Sequence, residues 1–195
     1  MAKQIFRDDI SDQVIHFTKP AAETAPDKFL EGALEVFDKI VSAKFLLGGN
    51  GFIKGSYKCV CFTEAPLGKL PILFANRKNL EVRYAPYGFM FGKKWLFAKG
   101  ARPAIYGEDN DFDILPEKMK FRHVKYHLGD DYITDHTWER EWRLRADRLD
   151  FTPDDVTLVV PHRAIVEYFR EEYKSDNWHF IALSDLGIPI DSIEG

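Results

Sequence analysis

Cysteine is scarce, with Cys59 and Cys61 the only two in 195 residues. They flank Val60 in an apolar stretch, where a bridge between residues two apart on a strand requires strained geometry. Two thiols alone do not complete a zinc site, so the pair is expected to be reduced and structural. No apolar run approaches the ~20 residues of a membrane-spanning helix. The Met1-Ala2-Lys3-Gln4 start lacks the apolar region of a secretory leader, and a cytoplasmic protein with no membrane contact is expected. Excess positive charge is missing: 27 Lys and Arg stand against 31 Asp and Glu, a formal net charge of −4. That balance argues against nucleic-acid binding through bulk electrostatics, although a local basic groove remains compatible with it. There is no phosphate-binding loop, no GxGxxG dinucleotide turn and no GxSxG nucleophile elbow. Internal repeats and low-complexity tracts are absent as well.

What is present suits a packed core. The chain is 45% hydrophobic and 14% aromatic, and its length fits a single domain over residues 1–195. Val14-Ile15-His16-Phe17-Thr18 reads as a strand closed by Pro20. Asp27 is placed to cap a helix to about Val41, with Phe29, Leu30, Ala33, Leu34, Phe37 and Ile40 on its apolar stripe. A glycine-rich turn at 48–51 leads to a strand over 57–63, and Pro66 fits the first turn of a helix to about Phe74. Further strands are expected at 88–91, 104–106, 137–145, 156–160 and 178–183, with an amphipathic helix from Pro161 to about Lys174. Scattered strands with few long helices indicate an α+β fold.

Among these, Trp138-Glu139-Arg140-Glu141-Trp142-Arg143 is the most informative. On a strand, residues two apart share a face. Glu139 and Glu141 would then project together with Arg143 next in the row, while Trp142 and Leu144 face the core. Paired acids on one face are either solvated or used for their charge. His16 sits in an apolar strand with Thr18 on its face, either as a satisfied half-buried side chain or presenting a ring nitrogen to a ligand. Thr63 precedes a helix start and serves either as a cap or as part of an anion-binding corner. Between Asn76 and Arg102, seven lysines and arginines stand against one acidic residue, Glu81, among interleaved aromatics. Such a stretch suits a planar ring with a diphosphate, a single nucleic-acid strand, or a solvated rim over an aromatic core. His123, His127 and His136 are read as surface histidines.

A strand histidine, a Tyr-rich central strand and a late Glu-x-Glu strand together resemble the ADP-ribosyltransferase-like fold in its His-Tyr-Glu form. More narrowly, four segments resemble the bacterial AbiGi-type abortive phage infection family. They are Val60-Cys61-Phe62-Thr63-Glu64-Ala65-Pro66-Leu67, Arg83-Tyr84-Ala85-Pro86-Tyr87-Gly88, Ala101-Arg102-Pro103-Ala104-Ile105-Tyr106 and Glu141-Trp142-Arg143, and the resemblance spans roughly residues 12 to 165. It implies an ADP-ribosyltransferase-like split β-core, two packed and mostly antiparallel sheets with flanking helices. It also implies an NAD-dependent protein of a phage-defence or toxin–antitoxin system, transferring ADP-ribose to a macromolecular acceptor with no metal.

Residue by residue, His16 matches the histidine that holds the nicotinamide-side ribose, and Tyr87, in preference to Tyr84, the aromatic that stacks on nicotinamide. Glu141 matches the catalytic glutamate and Glu139 the acid two before it. Thr18, Thr63, Arg102 and Arg143 complete the expected NAD-binding set. A fixed carboxylate suits this chemistry because breaking the nicotinamide–ribose bond creates an oxocarbenium-like centre. The same resemblance carries a different reading, a non-catalytic antitoxin or protein-binding module whose partner is a cognate toxin or antitoxin. A third reading is a nucleic-acid-binding defence protein.

Overall fold

In a computed structural model of the protein, residues 11–51, 53–69 and 84–188 are described. The strands run in chain order as β1 (Gln13–Phe17), β2 (Phe45–Leu47), β3 (Cys59–Thr63), β4 (Gly88–Gly92), β5 (Arg102–Pro103), β6 (Ile105–Gly107) and β7 (His123–Lys125), then β8 (His127–Leu128), β9 (Ile133–Thr134), β10 (Glu141–Arg145), β11 (Arg148–Asp150), β12 (Val156–Val160) and β13 (His179–Ala182). The longer helices are α1 (Phe29–Ala43), α2 (Lys93–Ala98) and α3 (Arg163–Glu172). This is a mixed α+β architecture.

A seven-stranded sheet in the order β13-β12-β4-β1-β3-β10-β5 organises the chain. Its pairings are antiparallel except for β12 with β13. One junction differs from the rest. β1 pairs with β4 through five registered positions and β10 with β3 through five, but β1 meets β3 only at Ile15 and Thr63. The sheet therefore consists of two halves pinned at one point, where the expectation had been two packed sheets. Beyond the pin, toward Phe17 on β1 and Cys59 on β3, the register ends and a gap opens.

Strand alternation sorts the side chains onto two faces. Val14, Val60, Phe62, Phe89, Phe91, Trp142, Leu144 and Leu158 pack with Ala33, Phe37 and Val41 of α1 and Val166 and Phe169 of α3. Ile15, Phe17, Met90 and Val159 form a second, smaller cluster with Leu183 and Ile188. The i, i+4 spacing of Ala33, Phe37 and Val41 lays one stripe of α1 on the sheet. Lys44, in a left-handed conformation with its N–H bonded to the Ile40 carbonyl, stops that helix.

Several boundaries moved. Asp27 lies in a 3-10 turn (Pro26–Lys28), and Lys28 takes the cap position without a side-chain bond. The expected strand at 137–145 begins only at Glu141. Thr137–Glu139 is a 3-10 turn, and Arg140 adopts a left-handed backbone with φ 48°. After Pro66 the chain forms a 3-10 turn, Leu67–Lys69. The rest of that expected helix, together with Arg77, Lys78 and Arg83 of the basic stretch, lies outside the described residues.

Candidate functional site

The gap between β1 and β3 is bridged by a side chain where the backbone register has ended. His16 Nδ1 lies 2.8 Å from the Cys61 carbonyl oxygen. A carbonyl only accepts, so Nδ1 carries the hydrogen and Nε2 is the ring's remaining acceptor. Crowding by the protein holds the His16 pKa below its ordinary value; the Cys61 bond opposes this and Lys19 adds to it. At neutral pH the imidazole is therefore uncharged, a fixed hydrogen-bonding group rather than a cation.

Around this bridge lies a cavity of two adjoining lobes, about 360 and 300 Å³. The first is lined by His16, Thr18, Val36 and Ile40 of α1, Cys59 and Thr63. The second is more polar, with Lys125, Thr134, His136 and Arg143. Lys19, Gly51, Ile53, Cys61, Tyr84, Glu139 and Glu141 belong to both.

Glu141 and Arg143 project from the same face of β10, as strand alternation requires. Arg143 Nε and Nη2 donate to the two Glu141 carboxylate oxygens at 2.9 and 3.1 Å. Its Nη1 donates to the carbonyls of Phe121 and His123 at 3.0 and 2.8 Å, and the residue is only 4% exposed. Burial is the largest single influence and lowers the Arg143 pKa, but the bond to Glu141 and the charge of its carboxylate act together against it, and the net direction is upward. The guanidinium thus fixes the carboxylate in a planar, charge-assisted grip. On the other side, the Glu141 backbone N–H donates to the Tyr106 hydroxyl at 3.0 Å. Burial, with the charges of Glu141 and Glu139, pushes the Tyr106 phenol up to about 12 against the opposing backbone bond.

Glu139 reaches the cavity by another route than expected. It sits in the turn before β10, and left-handed Arg140 redirects the chain between the two acids. Thr63 secures the turn: its hydroxyl donates to the Glu139 carbonyl at 2.6 Å and accepts from the Ala65 N–H at 3.1 Å. Tyr84 donates its hydroxyl to Glu139 Oε2 at 3.2 Å, with the Lys19 ammonium 4.9 Å from its ring centre. Burial first, then Glu139 and Glu141, raise the Tyr84 pKa, so its phenol stays protonated. Burial likewise raises the Cys61 thiol, with Glu141 adding to the effect, and Cys61 is not a thiolate nucleophile at neutral pH.

Of the residues expected at the site, His16, Thr18, Thr63, Tyr84, Glu139, Glu141 and Arg143 line this cavity. Two others do not. Tyr87 is 6% exposed and packs on Phe37 in the main core, with ring centres 5.6 Å apart. On its strand-like approach to β4, Tyr87 falls on the α1 side of the sheet, which removes it from the cavity wall. Arg102, on the far edge strand β5, stacks on Phe97, 3.7 Å from that ring centre, and donates to the Phe97 and Ala101 carbonyls. Thr18 donates its hydroxyl to the Tyr87 carbonyl at 3.1 Å, which makes it a wall residue that ties two segments together.

Cysteines 59 and 61 are both free thiols. His123 is buried rather than exposed, with Nε2 2.9 Å from the Glu108 carbonyl. Among the described residues no cluster of three or more His, Cys, Asp or Glu side chains is arranged to hold a metal ion. No helix among them is long and apolar enough to cross a membrane.

Sequence reasoning gave no site role to Lys19, Tyr106, Lys125 or His136, which the structure brings to the cavity or its support. Lys19 had a signal in its place next to Thr18, Tyr106 in closing one of the segments that carry the resemblance, and His136 in its closeness to the Glu-x-Glu segment, whereas Lys125 reaches the site through a pairing between distant segments. Comparison with protein-family models, curated proteins and solved structures gives no match for this chain.

Proposed function

We propose that this chain is an NAD-binding, ADP-ribosyltransferase-like protein of a phage-defence or toxin–antitoxin system, transferring ADP-ribose to a macromolecular acceptor. The observation that carries the reading is that His16, Tyr84 and Glu141, from three distant segments, line one cavity at the point where the sheet divides. A site at a division of the β-core is what the resemblance implies, although here the two halves belong to one seven-stranded sheet rather than to two packed sheets. Tyr84, rather than Tyr87, takes the aromatic position in this reading.

The roles follow from the chemistry of each group. Neutral His16 orients a ribose hydroxyl through Nε2 while Nδ1 stays on the Cys61 carbonyl. Glu141, immobilised by Arg143, stabilises positive charge developing at the anomeric carbon as the bond to nicotinamide breaks and nicotinamide leaves with the bonding pair. The acceptor's nucleophile then bonds to that carbon and releases its proton to Glu139. Lys19 and Lys125 supply the positive charge that a diphosphate requires.

The test is NAD binding and turnover by wild type and Glu141→Gln. The reading expects wild type to bind and consume NAD, and the variant to fold but turn over at least ~100-fold more slowly. Turnover at the wild-type rate in the variant sinks the mechanism. The second reading, a protein-binding module, is favoured by the β8–β9 hairpin, which exposes Leu128 (61%) and Ile133 (73%). Absence of NAD binding together with co-purification of a neighbouring gene product would support that alternative.

A further inference from the structure

The loop between β2 and β3 contains Gly48, Gly49 and Gly51, and the fold places different demands on them. A Cβ at Gly48 would stand 2.0 Å from the Ala146 carbonyl oxygen, so packing alone requires glycine there. At Gly49 and Gly51 an added Cβ would meet no atom within 4 Å. Neither has the left-handed backbone that favours glycine, in contrast to Gly55, Gly100 and Gly187. Packing and backbone conformation thus explain the first glycine and neither of the others.

Both unexplained glycines border the cavity. Gly49 lines the first lobe, and Gly51 stands where the two lobes meet, with Cys61, Tyr84 and Glu141. This wall is anchored: Gly49 donates to the Cys59 carbonyl at 3.0 Å and accepts from the Cys59 N–H at 2.9 Å. A bare backbone held beside a cavity lets a ligand approach more closely than any side chain would permit.

We infer that Gly49 and Gly51 are specificity-determining wall residues, across whose backbone an extended dinucleotide lies as it passes from one lobe to the other, with Gly51 at the waist. The inference rests on the NAD reading above and adds to it that the bound molecule spans both lobes.

Calorimetric titration with NAD, paired with thermal melting, tests it in wild type, Gly51→Val, Gly51→Ala, Gly49→Val and Gly48→Ala. Gly48→Ala should lower Tm through its carbonyl clash. Gly51→Val should keep the wild-type Tm yet raise the Kd for NAD about tenfold or more, with smaller increases for Gly51→Ala and Gly49→Val. Wild-type affinity in Gly51→Val overturns this inference and leaves the NAD reading standing. A drop in Tm for both Gly51 variants as large as that of Gly48→Ala also overturns it, because the fold itself would then demand glycine. If wild type does not bind NAD, the functional reading fails and the inference fails with it.

Discussion

Glu64 and Glu141 are near neighbours across one strand pair, and each carboxylate is held by a cation, yet they meet opposite fates. Glu64, just past the end of β3, is 8% exposed. Lys93 donates to its Oε1 at 2.8 Å and the Trp142 indole to its Oε2 at 2.7 Å. Each oxygen is engaged from a different direction, and the group belongs to the interior. Glu141 is gripped by Arg143 along one edge, and its other side borders the cavity. The alternation of β10 produces the difference: Trp142 points to one face and reaches Glu64, while Arg143 points to the other and reaches Glu141. A buried carboxylate with a cationic partner is thus not in itself a functional signal. What distinguishes Glu141 is that its partner leaves one side open.

This contrast can be broken in several ways, the largest effect first. Glu64→Ala removes a side chain that is 8% exposed and strips the acceptor from the partly exposed Lys93 ammonium and from the buried Trp142 indole N–H, and should cost about 3 kcal/mol in chemical denaturation. NAD handling by the fraction that remains folded should change little, and loss of NAD binding in a folded Glu64→Ala protein would abolish the distinction. Glu141→Gln keeps one acceptor for Arg143, which also retains its two backbone carbonyls. Its stability loss should stay below about 2 kcal/mol while turnover is lost. A denaturation cost equal to that of Glu64→Ala would mark Glu141 as structural. Arg143→Lys replaces a fork with a point charge and should cost about 1–2 kcal/mol, with a larger fall in NAD turnover than in NAD binding.

The smallest effect concerns pH. The His16 pKa in the folded protein lies below the 6.5 of the free side chain. Below pH 6.5 the unfolded chain therefore binds a proton that the folded one does not. The His16 contribution to stability is complete above 6.5 and declines as pH falls toward the folded value. His127 works in the opposite sense, its pKa raised first by Glu108 and then by Asp131, so its contribution fades as pH rises through the folded value. Denaturation curves between pH 7 and 5 should be flatter for His16→Asn than for wild type, and an unchanged slope would show that His16 is not held neutral.

The readable parts of the chain were those decided by local pattern. Val156–Val160 is a strand as expected, because five consecutive apolar and β-branched residues fit a position buried between strands on both sides. The α1 stripe and the His16 strand were legible for similar reasons of periodicity. The Trp138–Arg143 segment was half legible. Trp142, Arg143 and Leu144 alternate as expected, but Arg140 takes a left-handed turn that no propensity predicts for arginine. Glu139 therefore reaches the cavity from a turn, held by Thr63 on another strand. The sequence reading favours Tyr87 over Tyr84, three residues before it, and the structure reverses that order. Which one faces the cavity depends on how the approach to β4 packs against α1, whose Phe37 takes Tyr87 into the core.

By itself the sequence determined the α+β character, the residue types available for sugar and phosphate chemistry, and the pairing of Glu141 with Arg143. Each of these depends only on residues a few positions apart. Tertiary structure alone decided that the backbones of β1 and β3 register at a single residue pair, and that the resulting gap collects His16, Tyr84 and Glu141 into one wall. Such a gap is a property of two strands more than 40 residues apart in sequence. Its existence depends on how far their register continues, and neither strand records that limit in its own residues.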